Sequence, residues 1–250
     1  MTFDMSGKRV LVTGASSGLG QHFATVLAAA GADLVLAARR IDALETLGDR
    51  LARAYSCDVA CIPLDVTDAA SVERAIAQAG ALDVLVNNAG VARSKGVLDF
   101  DAADYDFVMD ANLRGAFLVA TAVGRQMRGR GAGGAIVNTA SILGLRQGAQ
   151  LTAYAMSKAG LVQMTRQMGL EMARHGIRVN ALAPGYFVTD INRDFLESRA
   201  GQAMAQRIPM RRFGQFEDLD GALLLLCSDA SRYMTGTVIP VDGGHLVSSL

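Results

Sequence analysis

The chain has 250 residues, 24 basic against 24 acidic side chains, and a 51% hydrophobic composition. That is enough apolar material for one sizeable α/β core. The balanced charge gives no footprint for nucleic acid or an acidic membrane surface.

The N-terminal stretch MTFDMSGKRVLVTG has no signal-peptide core, and the apolar runs fall short of a membrane span, so a cytoplasmic protein is expected. Within it, RVLVTG reads as a buried strand closed by glycine. QHFATVLAAAG has helical spacing and stops at Gly31, a natural helix end. DLVLAAR is the next strand and IDALETLGDRLARAY an amphipathic helix. VACIPLDV, LDVLVNNAG, GAIVNTAS, IRVNALAPG and GTVIPVDGG continue the strand series, with ASVERAIAQAG and TAYAMSKAGLVQMTRQMGLEMARHG as helices between them. Apolar strands without alternation are buried on both faces. Their interleaving with helices predicts right-handed crossovers and one doubly wound, mostly parallel sheet. No repeat or linker divides the chain, so a single domain is expected. Residues 190–212, polar and partly helical, break the rhythm and read as a lid over a site.

Cys57, Cys61 and Cys227 show neither disulfide nor metal-ligand spacing, and His22, His175 and His245 stand isolated. No metal site is expected.

The turn TGASSGLG, residues 13–20, follows the first strand and opens the first helix. Gly14 permits a tight turn. Gly18 and Gly20 allow close approach to a pyrophosphate, for which the helix N-terminus supplies N–H groups and positive dipole. The alternative is a purely structural turn, since the spacing is G-x-x-x-G-x-G. The second strand ends LAARR. Ala38 stands where an acid would bind a ribose hydroxyl, and Arg39 and Arg40 suit a 2′-phosphate, so NADP(H) is favoured over NAD(H). Both arginines serving only as solvated helix-start residues is the competing reading.

In YAMSK, Tyr154 and Lys158 share one helical face. A tyrosine, ordinarily titrating near 10, becomes a usable base when a neighbouring ammonium favours phenolate. Ser141, ending the strand GAIVNTAS, is placed to donate to the same substrate oxygen.

Together these residues resemble the short-chain dehydrogenase/reductase family, from Lys8 to about Gly244. The landmarks occur in order: TGASSGLG, LDV at 64–66, NNAG at 87–90, Asn112, Ser141, YAMSK, APG at 183–185, Thr189 and VDGG at 241–244. The resemblance implies a seven-stranded sheet. Tyr154 would be general acid/base, and Lys158 would lower its pKa and hold the nicotinamide ribose. Ser141 would orient the substrate oxygen. Asn112 would interrupt its helix and hold a relay water. Gly14, Ser16, Ser17, Gly18, Leu19 and Gly20 would cradle the dinucleotide, with Arg39 and Arg40 on the phosphate. Asp65 and Val66 would contact adenine, and Asn88, Ala89 and Gly90 the adenosine and ribose. Pro184, Gly185, Phe187 and Thr189 would hold the nicotinamide. Many NADP-dependent members carry a basic residue where this chain has Ser17, so the NADP reading rests mainly on Arg39 and the missing acid at Ala38. A homotetramer is implied, with helices near 102–127 and 152–174 at one interface.

For substrate, the resemblance implies a pocket of Ile142, Leu143, Gln147, Gln150, Tyr186, Phe187 and part of 190–212. Its apolar or neutral character favours a small apolar ketone or its secondary alcohol over a polyanion, as in a carbonyl reductase or alcohol dehydrogenase. A 3-oxoacyl-thioester reductase, a sugar or polyol dehydrogenase and steroid-type activity stay open. Arg125, Arg128, Arg130, Arg174 and His175 are either a dock for an acyl-carrier protein or a solvated face. A non-catalytic NADP(H)-binding sensor is the alternative of another class, against which the intact Tyr154 and Lys158 argue.

Overall fold

The computed structural model describes residues 3–188 and 193–248. Seven strands, β1 (Arg9–Thr13), β2 (Asp33–Ala38), β3 (Val59–Pro63), β4 (Val84–Asn87), β5 (Gly134–Thr139), β6 (Ile177–Pro184) and β7 (Val238–Val241), form one sheet in the order β3-β2-β1-β4-β5-β6-β7. All neighbouring pairs are parallel.

The helices are α1 (Gly18–Ala29), α2 (Ile41–Tyr55), α3 (Ala69–Ala79), α4 (Ala102–Met109), α5 (Ala116–Arg130), α6 (Thr152–Met172), α7 (Arg193–Glu197), α8 (Arg199–Ala205) and α9 (Asp220–Cys227). α1, α2 and α9 cover one face of the sheet; α3, α5 and α6 cover the other. The period of two in each strand divides the core accordingly. Val10 and Val12 of β1 enter one cluster with Phe23, Leu27 and Leu223. Leu11 enters the other, with Val119, Val123 and Ile136. Each fully buried Leu or Phe contributes roughly 1.5–3 kcal/mol of transfer free energy.

α1 ends as the sequence predicts, with Gly31 just beyond it at φ +95°. The helices expected near 102–127 run together. Ala102–Arg130 is a continuous 29-residue helical stretch, apolar and long enough to cross a membrane, yet half of its most apolar window is buried in the fold, as in a core helix.

The order of strands reverses between β1 and β4. In a doubly wound sheet the crevice at the carboxyl ends beside such a switch point is where ligands bind. The turn after β1 and the loop after β4 meet there.

Candidate active site

Gly14 and Gly18 have φ of +67° and +55°, left-handed conformations that side chains resist. Gly20 is needed for closeness, since a Cβ there would stand 2.3 Å from the Gly14 carbonyl oxygen. Thr13 fastens this turn to the loop after β4. Its Oγ1 accepts from the backbone N–H of Asn88 at 2.9 Å and of Ala89 at 3.0 Å. The Asn88 side-chain amide donates back to the Thr13 carbonyl at 3.1 Å, so it joins two loops.

Ser17 precedes α1 without capping it. Its hydroxyl instead accepts from Arg40 Nη2 at 2.9 Å, and the Ser16 hydroxyl accepts from the same nitrogen at 3.1 Å. Arg40 thereby adds a guanidinium to the positive end of α1. Arg39 lies near Asp65 instead. Hydrogen bonds from the Thr67 backbone and hydroxyl hold the Asp65 carboxyl below the usual range, with Arg39 adding to this. Val66 packs close to Gly115, where a Cβ would meet Val66 Cγ2 at 2.8 Å. A Cβ on Gly90 would stand 3.1 Å from Asn112 Oδ1 and 3.7 Å from Lys158 Nζ, so only a bare backbone passes comfortably here. These glycine approaches, with the Arg40–serine cluster, fit a phosphorylated dinucleotide.

Lys158 is 4% exposed, and its Nζ donates to the Thr139 carbonyl at 2.7 Å. It lies 5.6 Å from the centroid of the Tyr154 ring. Burial pulls the lysine pKa down to about 8. Burial also pushes the Tyr154 phenol above its ordinary value; a hydrogen bond with Ser141 pulls it back, and nearby Tyr186 pushes it up. In the protein alone the Tyr154 phenol thus lies above its ordinary value; the lowering expected from the sequence relies on Lys158 and a bound cationic nicotinamide together. Desolvation of the phenolate dominates, and the ammonium, with one N–H on the Thr139 carbonyl, keeps two donors free among the described residues. Ser141 Oγ accepts from the Leu143 N–H at 3.1 Å, which leaves its O–H to donate.

Asn112 sits in a π-helical turn, Asp110–Gly115, that joins α4 to α5, so the expected interruption is present. Its amide is fully engaged. Oδ1 accepts from the Val91 N–H at 2.7 Å, while Nδ2 donates to the Val91 carbonyl at 2.9 Å and to Ser157 Oγ at 3.1 Å. Ser157 Oγ donates in turn to the Tyr154 carbonyl at 2.7 Å. Any water-holding by Asn112 falls to the backbone of the widened turn. A second buried chain ties α6 to the sheet: Asn87 donates to Asn138, which donates to Thr165, whose hydroxyl bonds the Leu161 carbonyl.

Beyond β6, a Cβ on Gly185 would stand 2.8 Å from Asp242 Cα. Phe187 is buried with its ring against Gly214, so its side chain serves the core. Thr189 lies outside the described residues, as do positions 190–192 of the expected lid; its described part includes α7 and α8. Ile142 and Leu143 are buried, and Gln147 and Gln150 are exposed. Tyr186 stands beside His245, and Arg146 donates to the His245 carbonyl. Neither Arg146 nor His245 was among the sequence-derived site residues.

Comparison with known proteins agrees with this geometry. A family model described as enoyl-(acyl carrier protein) reductase matches residues 14–245. The 2-dehydro-3-deoxy-D-gluconate 5-dehydrogenase of Dickeya dadantii is 37% identical, over 98% of each chain. The L-xylulose reductase of Mesocricetus auratus is 36% identical, over 99% of this chain and 100% of that one. The crystal structure of a gluconate 5-dehydrogenase from Burkholderia cenocepacia, in complex with NADP and tartrate, superposes with a TM-score of 0.95 at 37% identity, over 99% of this chain and 98% of that one. The chain belongs to the short-chain dehydrogenase/reductase family. It is an oxidoreductase of that family, with dehydrogenases and reductases among its relatives.

Proposed function

We propose that this protein interconverts a secondary alcohol and a ketone on a polyol or sugar acid, with NADP(H) preferred over NAD(H). The reading is carried by the meeting of Ser141 and Tyr154 above a buried Lys158 at the carboxyl end of β5. The substrate class is supported by the sugar-acid and pentulose relatives, and the coenzyme preference by Arg40 on Ser16 and Ser17.

A bound nicotinamide dinucleotide supplies the two-electron exchange with the substrate carbon. The chain's own groups handle the proton. In reduction the Tyr154 phenol protonates the carbonyl oxygen; in oxidation the phenolate accepts the alcohol proton, a step worth typically about 10²–10⁴-fold. Ser141 donates its O–H to the same oxygen and fixes it against the phenol. Lys158, charged below about pH 8, and a bound oxidised nicotinamide would together favour the phenolate.

The proposal includes a homotetramer working in the cytoplasm, with α7 and α8 as part of a lid. In support of an assembly, Met109, Leu113, Phe117 and Met164 line an open apolar groove, and Phe117 is half exposed.

The test is coenzyme turnover by purified protein: polyols and sugar acids with NADP+ and NAD+ in parallel, and ketoses, apolar ketones and β-ketoacyl thioesters with NADPH and NADH in parallel. Turnover of polyols or sugar acids, faster with the phosphorylated coenzyme, is the expected result. Turnover confined to thioesters or apolar ketones overturns it.

A further inference from the structure

Three residues distant in sequence meet at the carboxyl end of the sheet, and one of them, Tyr186, lies near the Tyr154 phenol. Tyr186 follows β6, Arg146 lies between β5 and α6, and His245 opens the 3₁₀ turn His245–Val247 after β7. The Tyr186 and His245 rings are 5.6 Å apart at 42°. Arg146 Nη1 donates to the His245 carbonyl. Asp242 holds the turn in place by accepting from the N–H groups of Gly244 and Leu246.

Two features of this cluster are unspent. His245 is 7% exposed, and its Nδ1 has no hydrogen-bond partner among the described residues. A buried polar atom left so is costly, and native proteins keep few of them. Arg146 is half-buried and carries five N–H donors in a planar fork. Among the described residues no carboxylate stands within ion-pair distance of it. Burial and the Arg146 charge hold His245 below its usual pKa, against Asp242, so the imidazole is neutral at neutral pH. Burial raises the Tyr186 phenol, which stays protonated and able to donate.

We propose that Arg146, Tyr186 and His245 form a carboxylate subsite that holds the acid end of a polyhydroxy acid while Tyr154 works on a carbon further along the chain. Arg146 takes the carboxylate, and His245 Nδ1 pairs with an adjacent hydroxyl. One guanidinium beside two neutral polar groups matches a singly charged planar anion. The inference rests on the polyol or sugar-acid reading above and narrows it to the acids.

Steady-state kinetics with aldonates and with neutral hexitols of the same chain length test it in wild type, Arg146→Met and Arg146→Lys. Wild type should favour the acids in kcat/KM. In R146M the acid-to-hexitol ratio of kcat/KM should fall roughly 10- to 100-fold, mainly through KM, and R146K should recover part of it. A proportional fall on both substrates would mean that Arg146 merely latches the His245 turn, and overturns the subsite. Inhibition of the wild type needs no variant. Threonate should compete with the alcohol substrate at concentrations at least about tenfold below its neutral counterpart threitol; equal inhibition overturns the proposal. Wild-type turnover of hexitols without aldonates sinks the subsite and leaves the polyol reading standing. Turnover of neither, with activity on apolar ketones, sinks both.

Discussion

Lys158 gives its ammonium to the Thr139 carbonyl, 2.7 Å away, and stands 5.6 Å from the centre of the Tyr154 ring. The lysine is thus held by the sheet first and serves the tyrosine at a distance. Its charge is buried at the expense of stability.

That expense depends on pH in a definable way. Burial takes the lysine from 10.5 to about 8 in the folded protein. Between these values the unfolded chain keeps a proton that the native state has lost, so raising the pH favours folding. Below about pH 8 both states are protonated and the penalty is present in full, about 3 kcal/mol. The urea-unfolding free energy of wild type minus that of Lys158→Met should therefore climb between pH 8 and 10.5. A flat difference would show the native lysine to be charged throughout.

Ser141 acts on the phenol in the opposite sense to burial. Its hydrogen bond favours phenolate, so Ser141→Ala should raise the Tyr154 pKa. In the oxidative direction, the alkaline-side rise of kcat/KM should move to higher pH in the variant. An unchanged profile with a lower plateau would mean that Ser141 only orients substrate.

Tyr154→Phe removes the transferable proton and keeps the ring. Turnover should drop about 10²–10⁴-fold, while NADPH affinity, measured by fluorescence, stays within about threefold of wild type. Near-normal turnover would rule out Tyr154 as the acid/base.

Arg40 bridges the end of β2 to the phosphate turn through Ser16 and Ser17. Arg40→Ala should raise KM for NADPH about tenfold or more, with a much smaller effect on NADH. Equal effects on the two coenzymes would show that the bridge is structural and that selection, if any, lies with Arg39.

Local patterns make the strands and most flanking helices legible in the sequence. RVLVT and AIVNT are apolar without alternation because the sheet buries both faces. TGASSGLG and YAMSK could be read because their chemistry lies within a few residues of chain. The partnership of Arg146 with His245 could not be: 99 positions separate them, and only the parallel stacking of β5, β6 and β7 brings their loops together. That Arg40 rather than Arg39 bonds Ser16 and Ser17 is equally invisible in the sequence, because adjacent residues diverge according to the backbone at the start of α2. The commitment of the Asn112 amide to Val91 is likewise a product of the loop after β4 folding back on the π-helical turn.

The Tyr154–Lys158 pair and the Arg146, Tyr186 and His245 cluster hang on different parts of the molecule. Tyr154 and Lys158 ride on α6, which Asn87, Asn138 and Thr165 pin to the sheet by directional hydrogen bonds. Arg146, Tyr186 and His245 sit on three separate loops at the strand ends. Mutation can therefore redraw the pocket one loop at a time while the pinned helix stays in register. A scaffold divided in this way can exchange the molecule it acts on and keep its chemistry.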